Sequence, residues 1–213
     1  MCHRNNLVRT QFLVRRGTSG LTETIVGKRH AWRFRLHFHA GDEIVHILAG
    51  RARLCLPDGY REVIAGDMLV VPAGVIHRFQ PMDSRGWAFR SRFVDASTPR
   101  NLAWTGTTLA ARAATQLADR PSLRTDIAAL ALKYGISPDH LARTFRRSTG
   151  SGLHNFHVLL ALHRAKALLR QHVLIVEAAL AAGFCDQAHL NREFVRTYGM
   201  TPAAFRDGWT AVA

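Results

Sequence analysis

The sequence predicts an α+β chain, with β structure in the first half and helices in the second. Three observations predict it. Between Leu7 and Val94, short alternating or apolar runs are cut by turn residues, which is the period of half-buried strands. From Thr107 onward, apolar residues recur three and four apart, the period of an amphipathic helix. Twice in that second half a short helical run ends at a glycine and restarts behind a capping residue.

The totals agree. A chain of 213 residues holds one large or two small domains, and 47% apolar content excludes a disordered polymer. A formal charge of +14 favours a polyanionic partner, although arginines in both halves leave the binding face unlocated. Cys2, Cys55 and Cys185 are too far apart for a disulfide framework and fit a reducing cytosol. Cys55 and Cys185 read as small buried fillers. No apolar segment follows Met1-Cys2-His3-Arg4-Asn5-Asn6, and no run is long enough to span a bilayer. The expectation is a cytoplasmic protein without a membrane partner.

In order, the strand candidates are Gln11–Arg15, Trp32–His37, Ile44–Leu48, Ala52–Leu56, Met68–Val71 and Trp87–Val94. Pro57-Asp58-Gly59 is a turn, because proline presets φ and glycine supplies a positive one. Gly50, Gly66-Asp67 and Pro72-Ala73-Gly74 punctuate the remainder. Many short strands at this spacing suggest a barrel or jelly roll.

Two blocks in this half carry chemistry: His37-x-His39-x3-Glu43-x6-Gly50 and Gly66-x5-Pro72-x-Gly74-x2-His77. Both resemble the cupin motifs, departing at Ala31 in the first and Pro81 in the second. Residues two apart on a strand share a face, so His37 and His39 can both point inward and meet Glu43 and His77. Three imidazoles and a carboxylate suit a divalent first-row transition metal. The same inward groups can instead hydrogen-bond an organic effector without metal, or satisfy one another. Trp32, Phe34, Phe38, Phe79, Trp87 and Phe89 supply pocket wall or core.

From Asp95 to Gly106, clustered Pro, Ser and Thr mark a linker. The expected division is a β-domain over 1–95, a linker over 96–106 and a helical domain over 107–213. Thr107–Leu117 is a helix stopped by Asp119-Arg120-Pro121. Thr125–Tyr134 follows, with Ile127, Leu130 and Ala131 inward. Gly135 turns the chain, Ser137 caps and Pro138 starts the next helix, which buries Leu141 and Phe145. A long helix runs from Phe156 to His172. Then Ile175, Ala178, Ala179 and Ala182 form one small apolar face, Gly183 ends that helix, and Asp186 caps another that buries Leu190, Phe194 and Tyr198. Thr201-Pro202 opens a closing helix.

Such glycine-turned pairs fit both a helix-turn-helix and an ordinary αα-hairpin. The residues Ala182-Gly183-Phe184, Gln187, His189-Leu190, Arg192, Phe194 and Tyr198-Gly199-x-Thr201-Pro202 through Phe205-Arg206 resemble the C-terminal signature of the AraC/XylS family of transcription regulators. That resemblance implies two helix-turn-helix units joined by a long helix, behind a cupin-like effector sensor. Only one helix fits between the two halves. It is expected to be the first helix of the DNA-binding domain, so a homodimer is allowed but has no dimerisation helix of its own.

Arg143 and Arg192 occupy matching slots, two residues after Leu141 and Leu190, where an arginine can bond a guanine edge bidentately. Gln187 and Asn191 can read adenine or touch phosphate, and Ala188 can meet a thymine methyl. Arg146, Arg147 and Arg196 read as phosphate contacts, or as a solvated basic face. Asp139 and Ala142 make the first helix the poorer reader. The function expected is a sequence-specific DNA-binding regulator, not an enzyme, acting on duplex DNA and RNA polymerase under a small-molecule effector. A cupin metalloenzyme of dioxygenase or isomerase type, fused to a DNA-binding module, is the alternative. Constitutive DNA binding is a third.

Overall fold

The computed structural model describes residues 9–17, 20–28, 35–94, 108–119 and 121–210. Trp32, Phe34, the expected linker over 96–106 and the amino-terminal Met1–Asn6 lie outside them.

Among the described residues, seven antiparallel strands precede seven helices: β1 (Arg9–Gly17), β2 (Gly20–Lys28), β3 (Asp42–Leu56), β4 (Gly59–Ile64), β5 (Met68–Val71), β6 (Arg78–Pro81) and β7 (Trp87–Val94). They form one sheet in the order β1-β2-β7-β3-β4, with β5 and β6 also paired to β3. The long strand β3 is therefore the spine. Its first part pairs with β7 and β5, and its second part with β4 and β6.

The structure corrects the expected break between Ile44–Leu48 and Ala52–Leu56, which are one continuous strand. Gly50, at φ 74, bends it instead of ending it, and a Cβ there would lie 2.4 Å from the Gly86 carbonyl oxygen. A register shift between Ile47 and Ala49 goes with the bend. It moves the inward set from Glu43, Val45 and Ile47 to Ala52 and Leu54, so both halves of the strand face one core. Pro57-Asp58 forms the β3–β4 turn as expected. Of the expected strand Trp32–His37, the described part is not a strand. His37 instead forms an isolated bridge with His77, each donating its N–H to the other's carbonyl at 2.8 Å.

The helices are α1 (Leu109–Asp119), α2 (Ile127–Lys133), α3 (Pro138–Thr149), α4 (Leu153–Arg170), α5 (Ile175–Ala181), α6 (Gln187–Tyr198) and α7 (Pro202–Thr210). The caps explain their starts. Asp126 accepts from the N–H groups of Ala128 and Ala129, so α2 begins later than the expected Thr125. Ser137 accepts from His140 N–H and Asp186 from His189 N–H, as read from sequence. Helix α1 packs on α3 and α4, which makes it part of the helical half.

Helix α4 buries residues on every side, including Leu153, Phe156, Leu159, Leu162, Ala165 and Leu169. A helix apolar all round belongs to an interior, and α4 packs against other helices and also touches the β-domain. Asn155 Nδ2 donates to Leu36 O at 3.1 Å, and His163 Nε2 to Phe38 O at 3.0 Å. The Phe38 ring stacks on His163 at 4.5 Å. Below them Glu23 of β2 accepts from Arg170 (2.7 and 3.0 Å) and from Trp209 Nε1 (3.2 Å), with Lys166 Nζ 3.8 Å away. Phe12 of β1 packs on Phe205 of α7 at 4.7 Å. Cys185 is exposed, which corrects its reading as a buried filler; the neighbouring Phe184 fills the core at that turn.

Candidate nucleic-acid interface and sensor cavity

Two helical units present matching faces. In α3, Leu141 and Phe145 are fully buried while Arg143, Arg146 and Arg147 are exposed. In α6, Leu190 and Phe194 are fully buried while Gln187, Ala188, Asn191, Arg192 and Arg196 are exposed. The reason is periodicity: an inward pair four residues apart leaves the position two beyond its first member pointing outward. Helix α4 separates the units by about 27 Å of rod at 1.5 Å per residue. Arg196 is less free than expected. Its Nη1 donates to Glu193 Oε1 at 3.2 Å, and Glu193 Oε2 accepts from Arg35 Nη1 at 2.7 Å.

The second constellation lies inside the β-domain. His37, His39 and His77 are buried, and their ligand atoms all lie within 4.8 Å of one another. Two features bring them together: the two-residue spacing of His37 and His39, and the backbone bridge that seats His77 beside His37. His37 Nδ1 donates to Arg35 O at 2.7 Å and His77 Nδ1 to Val75 O at 2.9 Å, since a carbonyl only accepts. Glu43 Oε2 lies 3.0 Å from His77 Nε2, a contact that needs one proton between the two atoms.

Burial pushes the His37 imidazole well below its ordinary range, helped by the charges of His77 and His39. Burial lowers His39 too, against the opposing pull of Glu43. Burial alone raises the Glu43 carboxyl, but His39 and His77 overcome it and hold it well below the carboxylate range. Lowering His37 and His39 favours their neutral form, the one that ligates a metal. Tetrahedral sites with bonds of about 2.0–2.1 Å put their nitrogens roughly 3.3 Å apart, so the cluster needs only a small closure. The residues therefore fit a divalent transition metal, with His37, His39 and His77 as ligands and Glu43 beside them.

Phe79, Trp87 and Phe89 form apolar wall of the same cavity, whereas Phe38 packs between the two halves. Sequence reasoning missed Ser91, Thr197 and Tyr198, which also line it. Tyr198 shows only the spacing of a core residue. Ser91 does stand at an inward position of β7, and that alternation was a usable signal.

Comparison with known proteins settles the kinship. The AraC-like ligand binding domain matches residues 21–132, more than half of the chain. The chain belongs to the AraC family. A helix-turn-helix domain matches residues 130–208, covering both units around α4. The HTH-type transcriptional regulator GlxA of Rhizobium meliloti is 40% identical over 89 residues, 41% of this chain and 26% of that protein. The probable transcription factor PqrA of Proteus vulgaris is 34% identical over 97 residues, 45% of this chain and 78% of that protein. This AraC-family chain thus spans about a quarter of the length of GlxA. Across 98% of the chain and 100% of the other, the fold matches ToxT from Vibrio cholerae with a TM-score of 0.57 at 8% identity. No helix among the described residues is long and apolar enough to cross a membrane.

Proposed function

We propose that this chain is a transcription regulator that reads duplex DNA with α3 and α6 and senses a small effector in the cavity around His37, His39, Glu43 and His77. The observation that carries the reading is the pair of exposed arginines, Arg143 and Arg192, at equivalent positions of two capped helices flanking one buried rod. Rigidly spaced helices of this kind enter successive major grooves. The division at 1–95, 96–106 and 107–213 goes with this reading: β7 ends at Val94 and α1 starts at Leu109. RNA polymerase is the machine such a regulator acts on.

Arg192 is the principal base reader, with Gln187, Ala188 and Asn191 beside it and Arg143 on the first unit. Arg192→Ala is expected to cost about 1–3 kcal/mol of specific binding and to relax preference at one base pair. Binding-site selection checks it, and an unchanged preference refutes the assignment. Arg146 and Arg147 grip phosphate, and Arg196 joins them in competition with Glu193. Arg147→Ala is expected to weaken all sequences alike and to lower the salt slope by about one unit. Titrations at several salt concentrations read that slope; if it stays put, Arg147 touches no phosphate.

The three-histidine cluster favours one rival, a metal-dependent enzyme fused to a DNA-binding module. Metal analysis of wild type and His77→Ala, with turnover assays, separates the two. Metal with turnover supports the enzyme, and promoter binding without turnover supports the regulator.

A further inference from the structure

One wall of the three-histidine cavity is not part of the β-domain. Thr197 and Tyr198, at the carboxy-terminal end of the DNA-reading helix α6, line it together with His37, His39 and Ser91. Among the described residues, three buried polar atoms in this lining have no hydrogen-bond partner: His39 Nε2, Ser91 Oγ and Tyr198 Oη. Their residues are 6%, 1% and 4% exposed. Glu43 Oε2 is 3.3 Å from His39 Nε2 but outside hydrogen-bond geometry, and it already serves His77. Buried polar groups are nearly always satisfied, so three orphans around one cavity mark a place where an occupant supplies the bonds.

The occupant is small. The free space is about 20 Å³, which suits a single water-sized group beside the imidazoles. Nitrogen ligands come from three buried histidines, and hydroxyl donors come from β7 and α6. That combination is matched by an ion that the imidazoles bind and that carries an oxygen the hydroxyls can reach.

We propose that the effector is a divalent transition-metal ion held by His37, His39 and His77, and that Tyr198 and Ser91 donate to the water-sized oxygen it carries. The proposal rests on the reading of this cavity as the effector site. Its consequence is that α6 senses occupancy directly. Tyr198 ends the same rigid helix whose first turns carry Gln187, Asn191 and Arg192. Its ring packs on Phe194 at 4.9 Å and lies under Lys166 of α4, also at 4.9 Å. A bond drawn at one end of α6 changes how the whole helix is set against α4, with no hinge or linker needed.

The test uses the full chain, Co2+ as the probe and a duplex selected from random sequence. Wild type is expected to take up one Co2+ per chain and to change its affinity for that duplex about five-fold or more. Tyr198→Phe is expected to keep the stoichiometry, shift the visible Co2+ absorption, and lose the effect on DNA. Its metal-free melting temperature should equal or exceed that of wild type, because an unpartnered hydroxyl is gone. His77→Ala should lose the ion. No uptake of Co2+ by wild type overturns the inference, and so does an equal effect on DNA in wild type and Tyr198→Phe. A chain that binds the duplex identically with and without Co2+ overturns the inference and leaves the DNA-binding reading standing. A chain that binds Co2+ but no duplex overturns both.

Discussion

Glu23→Ala is expected to lower the unfolding free energy by about 3–5 kcal/mol, the usual result of removing one partner from a buried ionic cluster. Glu23 is 3% exposed, accepts hydrogen bonds from Arg170 and Trp209, and pairs in charge with Lys166. Without it two cations remain at a dry contact between β2 and α4, with Lys166 only 8% exposed. Burial alone raises the Glu23 carboxyl. The charges of Lys166 and Arg170 and the hydrogen bonds of Arg170 and Trp209 reverse this and hold it below its ordinary 4.5. Its stabilising contribution is therefore present above pH 4.5 and lost as pH falls through the lower folded value. Lys166 runs the other way. Burial, with Arg170 beside it, lowers the ammonium from 10.5 to about 8, and Glu23 restores only part. Between those values the unfolded chain binds more protons, so stability rises with pH there. In Glu23→Ala this rise should begin at lower pH. Urea denaturation across pH measures both effects. A loss under about 1 kcal/mol would place the cluster among surface pairs and undo the account of how the halves are held.

The second large effect is expected at Gly183, in the turn before α6. Its φ is 90, and a Cβ there would lie 2.6 Å from Ser122 Oγ and 2.7 Å from Leu123 N. Neither neighbour is free to yield. Leu123 N–H donates to Ala182 O at 3.2 Å, and Ser122 O accepts from His157 of α4. Gly183→Val thus combines backbone strain with a clash against fixed main chain, about 2–5 kcal/mol together. Gly135, the equivalent turn before α3, has φ 67 but nothing within 4 Å of its Cβ position. Gly135→Ala should cost only the strain, about 1–2 kcal/mol. Thermal melts of the two variants check the contrast, and equal losses would mean the Ser122 loop gives way.

The helical half was legible because its signals are local. Gly183, Asp186, Ser137-Pro138 and the four-residue repeats of Leu190, Phe194 and Tyr198 each act within one or two turns. The β-half was legible only where alternation is strong. Trp87–Val94 and Met68–Val71 show it and were read with their observed bounds. Strands β2, β4 and β6 escaped notice because each buries little large apolar surface: Ile25 in the first, Val63 in the second, Phe79 in the third. The histidine cluster could be read from spacing, since alternation on one segment aims two of its members. The two hydroxyls that complete the cavity could not. Tyr198 lies more than a hundred residues beyond Ser91, and only the docking of α6 on the β-domain brings them together.

The claim on which the account depends is that one chain reads two consecutive grooves through α3 and α6. Selection of bound duplexes from random DNA by the full chain, followed by footprinting, measures this. The expected result is two preferred segments about 10 base pairs apart, with the one that Arg192→Ala relaxes the more sharply defined. A single preferred segment, or two whose spacing varies freely, would contradict the rod-and-two-helices account.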